Sequence, residues 1–349
     1  MRTIRLGIAG FGRIVELTHL PLLGKMDEFS ICGIFDVTPQ RRALAEKRGL
    51  AAYDRLEELL ASDAEAILIA TPPGSHYSIA AEALKSGKHV LIEKPVTLRA
   101  AEAIELKKLA AERGKHVTVF HNKRFDDDLR LVREVMDGGK LGPIQFVERR
   151  CHQFGSGASF GVQSFHPGWR NETAYGGGAL MDWGVHLVDQ LLQLKLGRWQ
   201  SIEASAHRLR WKRGDAEDCA LARIVLDNGI LLSMDIHFGS HAQNPLWIVG
   251  GELGTLQVTG GNEATIHLAG KSAIPVEPQS AVGTYRRDLD GVKRIYSSFA
   301  RKLAGEGQLE VTLDEAIDGL RVLDAIRLAA ENKKEVRYGD PVRGASVGI

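Results

Sequence analysis

The sequence predicts an α/β protein: an N-terminal Rossmann-type, doubly wound parallel sheet, then an α+β domain with a large, mainly antiparallel sheet. Three observations predict it. Short continuous apolar runs alternate with amphipathic helical stretches through the first third of the chain, the pattern of βαβ units buried on both faces. A glycine turn, Gly10-Phe11-Gly12, directly follows the first of those runs. Beyond about His121 the strand-like runs follow one another without crossover helices, as in an antiparallel sheet. A chain of 349 residues exceeds the size at which single cores usually split. The change of pattern puts the domains at residues 1–121 and 122–349.

In order, the apolar runs 4–9, 30–35, 66–70, 89–92 and 117–120 are expected as parallel strands, with helices over 39–48, 76–86 and 99–113 between them. A helix over 127–136 should stop at Gly138-Gly139, and 143–153 reads as a strand. The glycine-rich stretch 155–178 is the kind of long loop that is usually functional. A helix over 179–194 follows, then strands at 200–209, 219–226, 230–238, 246–249 and 255–258, and closing helices over 285–303 and 312–332.

Composition narrows the function classes. Hydrophobic residues make up 44% and charged residues 26%, ordinary for a globular protein, and a formal charge of +1 offers no field for nucleic acid. Cys32, Cys151 and Cys219 are too scattered for a disulfide framework or a metal finger. No apolar run approaches the roughly 20 residues of a membrane helix, and the chain opens on a strand-like run rather than a signal peptide. A soluble, cytoplasmic protein with a small-molecule substrate, and neither nucleic acid nor membrane as partner, is the expectation.

Gly10 permits a tight turn, and Gly12 lets the backbone of Phe11, Arg13 and Ile14 approach a pyrophosphate at a helix N-terminus. The full fingerprint asks for a third small residue where this chain has Val15, which should loosen helix–strand packing. Asp36 ends the second strand, about 24 residues on, where a carboxylate accepts bonds from the adenine-ribose hydroxyls. That carboxylate favours NAD over NADP. Arg41 and Arg42 are close enough to tolerate a 2′-phosphate if Asp36 turns away, or they form a solvated helix face.

Lys94 follows the run 89–92, at the carboxyl end of a parallel strand, the side on which doubly wound sheets bind ligands. An alcohol oxidation needs a group there to take the hydroxyl proton; pairing with Glu93 at the surface is the alternative. Asp182 and His186 are four apart on an expected helix and so share a face. As a metal pair they lack a third ligand, and no metal site is expected. His237 and His241 share the same spacing but fall at a strand end and are read as structural. Asp189 supports the Asp182 face or caps the helix.

Three motifs, in this order and spacing, resemble the Gfo/Idh/MocA family of glucose–fructose oxidoreductase and inositol dehydrogenases. They are Thr71-Pro72-Pro73-Gly74-Ser75-His76, Glu93-Lys94-Pro95, and the run from Gly176-Gly177-Gly178 through Asp182-Trp183-Gly184-Val185-His186. His121-Asn122-Lys123-Arg124-Phe125-Asp126 is similar to the scyllo-inositol dehydrogenase-like branch. The resemblance spans nearly the whole chain. It implies cofactor contacts from Thr71, Pro72, Pro73, His76, Glu93 and Lys94, and a Lys94–Asp182–His186 catalytic set in which either Lys94 or His186 is the base. It also implies a homodimer or homotetramer, and an NAD(P)-dependent dehydrogenase or reductase acting on a sugar, inositol or related polyol. Asn122 and Arg124 are expected to offer donors to polyol oxygens, with Asp182 and His186. Within 166–170, Trp169 could stack on a sugar face and Arg170 bind an oxygen or carboxylate; an oligomer contact is the competing reading of this loop. Two other readings, a cofactor-sensing regulator and an NAD-dependent glycosidase, are discriminated by erosion of the catalytic set and by cofactor that never leaves.

Overall fold

The computed structural model describes residues 2–155, 166, 168–209, 214–242, 244–259, 263–276 and 289–340. The chain forms two compact units that interleave in sequence. One comprises Met1–Asn122, the described part of Gly157–Gly177, and Leu289–Leu320; the other takes Lys123–Ser156, Gly178–Asp288 and Arg321–Ile349.

The first unit is built on six parallel strands: β1 (Ile4–Ala9), β2 (Phe29–Phe35), β3 (Ala52–Tyr53), β4 (Ala66–Ile69), β5 (His89–Ile92) and β6 (Val117–Val119). Their order, β3-β2-β1-β4-β5-β6, is that of a Rossmann sheet, with its switch point between β1 and β4. β4 is buried along its whole length and β5 over Val90–Ile92, which is why they read as unbroken apolar runs. Helices Pro39–Lys47, His76–Lys85 and Ala100–Glu112 lie where the periodicity puts them. The helix after the glycine turn differs: Val15–His19 is π-helical before a short α-turn at Leu20–Leu23. Val15 is fully buried within it. The wider turn gives that β-branched side chain room that close helix–strand packing would deny it.

The second unit carries a sheet that is nine-stranded among the described residues, ordered β14-β13-β12-β11-β7-β10-β9-β8-β15. The strands are β7 (Ile144–His152), β8 (Trp199–His207), β9 (Cys219–Leu226), β10 (Leu231–His237), β11 (Trp247–Gly251), β12 (Gly254–Val258), β13 (Ala264–Leu268), β14 (Ile274–Val276) and β15 (Val336–Arg337). Every pairing is antiparallel except β7 with β10. In β7, β9 and β10 alternate residues are buried, so one face of the sheet packs inward, beneath the helix Val185–Gln193 that lies on β7 and β10. The expected helix over 179–194 is again interrupted: Leu180–Gly184 is π-helical and only Val185–Gln193 is α.

Candidate functional site: two glycine turns

In the first unit, Gly10 sits at φ +93°, and a Cβ there would lie 2.8 Å from the Ala70 carbonyl oxygen. Only glycine lets the turns after β1 and β4 approach so closely. Two residues on, a Cβ on Gly12 would meet nothing within 4 Å: the backbone faces open space at the helix N-terminus. That is the cradle a pyrophosphate needs, and the residues present fit a dinucleotide.

Asp36 closes the turn. Its Oδ2 accepts the Phe11 N–H at 2.7 Å and Oδ1 the Thr38 N–H at 2.8 Å, so the carboxylate fixes the loop and still has lone pairs for ribose hydroxyls. Arg41 does not reach outward as a phosphate ligand. It is 7% exposed, donates through Nε to the Phe11 carbonyl at 2.6 Å and through Nη2 to Glu16 at 2.5 Å, and packs over the Phe11 ring. Arg42 donates to the Asp36 carbonyl oxygen at 2.8 Å. The Phe11 side chain is core, while Ile14 is 40% exposed beside the turn and Arg13 half-buried.

The turn after β4 begins a 3-10 segment at Pro73, and the Ser75 hydroxyl bonds Thr71 Oγ1 at 2.8 Å and the Pro72 carbonyl at 2.9 Å. His76, expected at the cofactor, is fully buried instead: Nδ1 lies 2.7 Å from the Pro95 carbonyl oxygen and Nε2 2.9 Å from that of Thr71. The ring staples the Thr71 turn to the Glu93-Lys94-Pro95 turn, and burial pushes its imidazole below the usual value. Lys94 is half-buried at the carboxyl end of β5, and its backbone N–H bonds Glu93 Oε2 at 3.2 Å. Trp169 and Arg170 form part of a 3-10 turn, the guanidinium 4.3 Å over the indole ring. Asn122 opens the 3-10 turn Asn122–Phe125 and is half-buried. Pro167 lies outside the described residues, as does most of 155–165.

In the second unit, Gly178 sits at φ +112° with a hypothetical Cβ only 2.5 Å from Glu217 Oε1. Glu217 bonds the Ala179 N–H through its carbonyl at 2.8 Å and the Leu180 N–H through Oε1 at 2.9 Å, capping the π-turn. Asp182 lies on that turn, half-buried; His186, 5% exposed, begins the α-helix with its ring 6.0 Å from that of Trp183. The plain α-helical face expected for the pair is therefore replaced by a register that widens between them.

The helix Val185–Gln193 is buried at Val185–Leu191, and its buried Asp189 and Gln190 are both hydrogen-bonded. Asp189 accepts Arg124 through two bonds, 2.6 Å from Nη2 and 3.2 Å from Nε, and both side chains are about 5% exposed or less. The Arg124 expected at the substrate thus gives Nε and Nη2 to a buried carboxylate. Gln190 accepts Arg149 Nε at 2.8 Å and donates to the Lys123 carbonyl at 2.7 Å. Lys123 and Asp126 join the candidate residues beside Trp183. Lys123 Nζ rests 5.0 Å over the Trp183 ring and 3.2 Å from Asp126, whose carboxyl burial pushes up to about 6. The signal was available: both lie in the same motif as Asn122 and Arg124. Glu217 and His19 carried no signal. His237 and His241 hold local structure, His237 accepting the Gly239 N–H at 3.1 Å and His241 stacking on Phe154. Among the described residues no group of three or more His, Cys, Asp or Glu is placed to hold a metal, and no helix is long and apolar enough to cross a membrane.

A glycine turn at the switch point of a Rossmann sheet, open above Gly12 and closed by Asp36, defines the first unit as a dinucleotide-binding domain. Residues 4–121 match the NAD-binding Rossmann domain of the Gfo/Idh/MocA oxidoreductase family and residues 129–257 its C-terminal domain; the chain belongs to that family. It is 28% identical to scyllo-inositol 2-dehydrogenase (NADP(+)) IolW of Bacillus subtilis, over 96% of this chain and 95% of that one. An NAD-binding protein from Listeria innocua superposes with a TM-score of 0.85 at 26% identity, covering 99% of this chain and 100% of that one. The WlbA dehydrogenase of Chromobacterium violaceum, solved with NADH and UDP-GlcNAcA, superposes with a TM-score of 0.79 at 26% identity, over 98% and 97%.

Proposed function

We propose that the protein is a cytoplasmic, homo-oligomeric dehydrogenase or reductase acting on the CH–OH groups of a sugar, inositol or related polyol, with NAD favoured over NADP. The observation that carries the reading is Lys94, held at the carboxyl end of β5 on a turn that His76 ties to the Thr71 turn beside the switch point. A bound nicotinamide supplies the hydride acceptor. Around it, Gly10 to Ile14 hold the pyrophosphate, Asp36 the adenine ribose, and Thr71, Pro72, Pro73 and Glu93 the remainder of the cofactor. Lys94 or His186 takes the hydroxyl proton, and Asp182 accepts hydrogen bonds from the substrate hydroxyls. Asn122, Lys123, Trp169 and Arg170 supply the donors and the apolar face that a polyhydroxylated ring requires. The Asp36 carboxylate repels a 2′-phosphate, and Arg41, committed to Glu16 and Phe11, leaves that phosphate one cation fewer.

The test is a panel of polyols, aldoses and nucleotide sugars screened with NAD and NADP by absorbance near 340 nm, where reduced nicotinamide absorbs. Turnover is expected with at least one member, with a higher kcat/KM for NAD. In Lys94→Met and His186→Asn, kcat should fall by about 10² to 10⁴ for the residue that is the base. No turnover across the panel, or full activity in both variants, would contradict the reading.

A further inference from the structure

A buried chain of hydrogen bonds joins the glycine-turn helix to the Glu93–Lys94 turn, and no motif marks it. The Tyr296 hydroxyl, on helix Leu289–Leu303, lies 2.8 Å from His19 Nδ1; His19 Nε2 lies 3.0 Å from Glu93 Oε1. The other carboxylate oxygen, Oε2, accepts the Lys94 N–H. His19 and Tyr296 are fully buried, walled by Phe120 at 4.8 and 5.0 Å and by Phe29 at 5.2 Å.

The protons along this chain can be placed. Burial pushes the Glu93 carboxyl up, but the hydrogen bond from His19 and the positive charge of the neighbouring groups, Lys94 among them, outweigh it, and the group is held below its usual value. An ionised carboxylate only accepts, so Nε2 of His19 carries the hydrogen. With that hydrogen on Nε2, a neutral ring accepts at Nδ1, and the Tyr296 hydroxyl 2.8 Å away is placed to donate to it. Burial, with Glu93 nearby, pushes the phenol well above its ordinary range, so its proton stays in place. Tyr296 thus selects the tautomer of His19.

We propose that Tyr296 and His19 are positioning residues of the reaction: they fix the Glu93 carboxylate in the orientation in which Oε2 anchors the Lys94 amide, and so fix the turn that presents Lys94. The inference rests on the role given to Lys94 above and deepens it. A catalytic group works only when its support holds it within about half an ångström. Here the support comes partly from Tyr296, 277 residues from His19 in sequence, on a helix that belongs to the same compact unit.

Three full-length variants test it: Tyr296→Phe, which removes one oxygen; His19→Leu, which removes the donor; and His19→Gln, which keeps one. Nitrogen-15 spectra of the histidine rings, with His19 assigned by its loss in His19→Gln, should show a single Nε2–H tautomer in the parent protein and a different balance in Tyr296→Phe. With the substrate identified by the panel, kcat should fall about 10- to 100-fold in His19→Leu, less than loss of a general base would cost, and be partly rescued in His19→Gln. KM for the cofactor should be unchanged. The acid limb of the kcat profile should lie at higher pH in His19→Leu than in the parent, because Glu93 without its donor takes a proton more readily. Parent-like kcat and pH profiles in folded Tyr296→Phe and His19→Leu would overturn the proposal, as would an Nδ1–H tautomer in the parent. If the parent turns over nothing in the panel, the functional reading fails, and the ring spectra alone decide whether the chain exists as described.

Discussion

The turn after β1 and the turn before helix Val185–Gln193 each run from glycine into a π-helical segment. Each is closed by a carboxylate from its own unit: Asp36 on the Phe11 amide, Glu217 on the Leu180 amide. They differ in what the glycines face. Above Gly12 there is nothing within 4 Å, whereas Gly178 is pressed against Glu217. One glycine admits a ligand to the backbone; the other admits a carboxylate of the protein itself. The first turn is built to be filled, and the second to hold Asp182 and His186 still. The surroundings agree: the helix leaving the second turn is tethered by Arg124–Asp189 and Gln190–Arg149, buried polar contacts that must be met in full.

If the second turn is a rigid mount, breaking its tether should be costly. Asp189→Ala strands the Arg124 charge in the interior and should lower unfolding free energy by about 3–5 kcal/mol in urea titrations; a loss under about 1 kcal/mol would mean that the pair is solvated. Gly178→Ala adds positive-φ strain to a clash with Glu217, and on the order of 3 kcal/mol should be lost. NAD affinity of the folded fraction should be retained, since the first turn is untouched.

A smaller effect concerns Asp126. Its folded pKa of about 6 lies above the ordinary aspartate value of 3.8, so the folded state binds the extra proton and stability falls as pH rises through that window. Asp126→Asn should therefore be more stable than the parent at pH 7.5, by an amount that shrinks toward pH 4. Equal differences at both values would show that the carboxylate is not strained by burial.

Much of the fold was legible because its strands are either buried on both faces or cleanly alternating: β1, β5 and β9 fall on the expected residues, and most of the other expected strands within about two. The unexpected strands are short, like β3 and β15, or lie at the far edge of the second sheet, like β13 and β14, where little is buried to leave a pattern. The π-turns were invisible, since widening one turn leaves the apolar spacing nearly unchanged. At the candidate site, the places of Gly12, Asp36 and Lys94 just beyond the ends of strands β1, β2 and β5 were legible. For Arg41, His76 and Arg124 the sequence shows a polar side chain but not its burial, and each is buried against a carbonyl or carboxylate of the protein. The Tyr296–His19–Glu93 chain joins three distant segments and left no local trace.

The claim that the first turn is an open cradle is tested most directly by calorimetric titration of NAD into Gly12→Val beside the parent, with both melting curves recorded. The account predicts an unchanged melting midpoint and an affinity lower by about 5- to 150-fold, the equivalent of 1–3 kcal/mol of steric conflict with the bound pyrophosphate. Parent-like affinity in the folded variant would contradict it, and would move the dinucleotide away from the turn after β1.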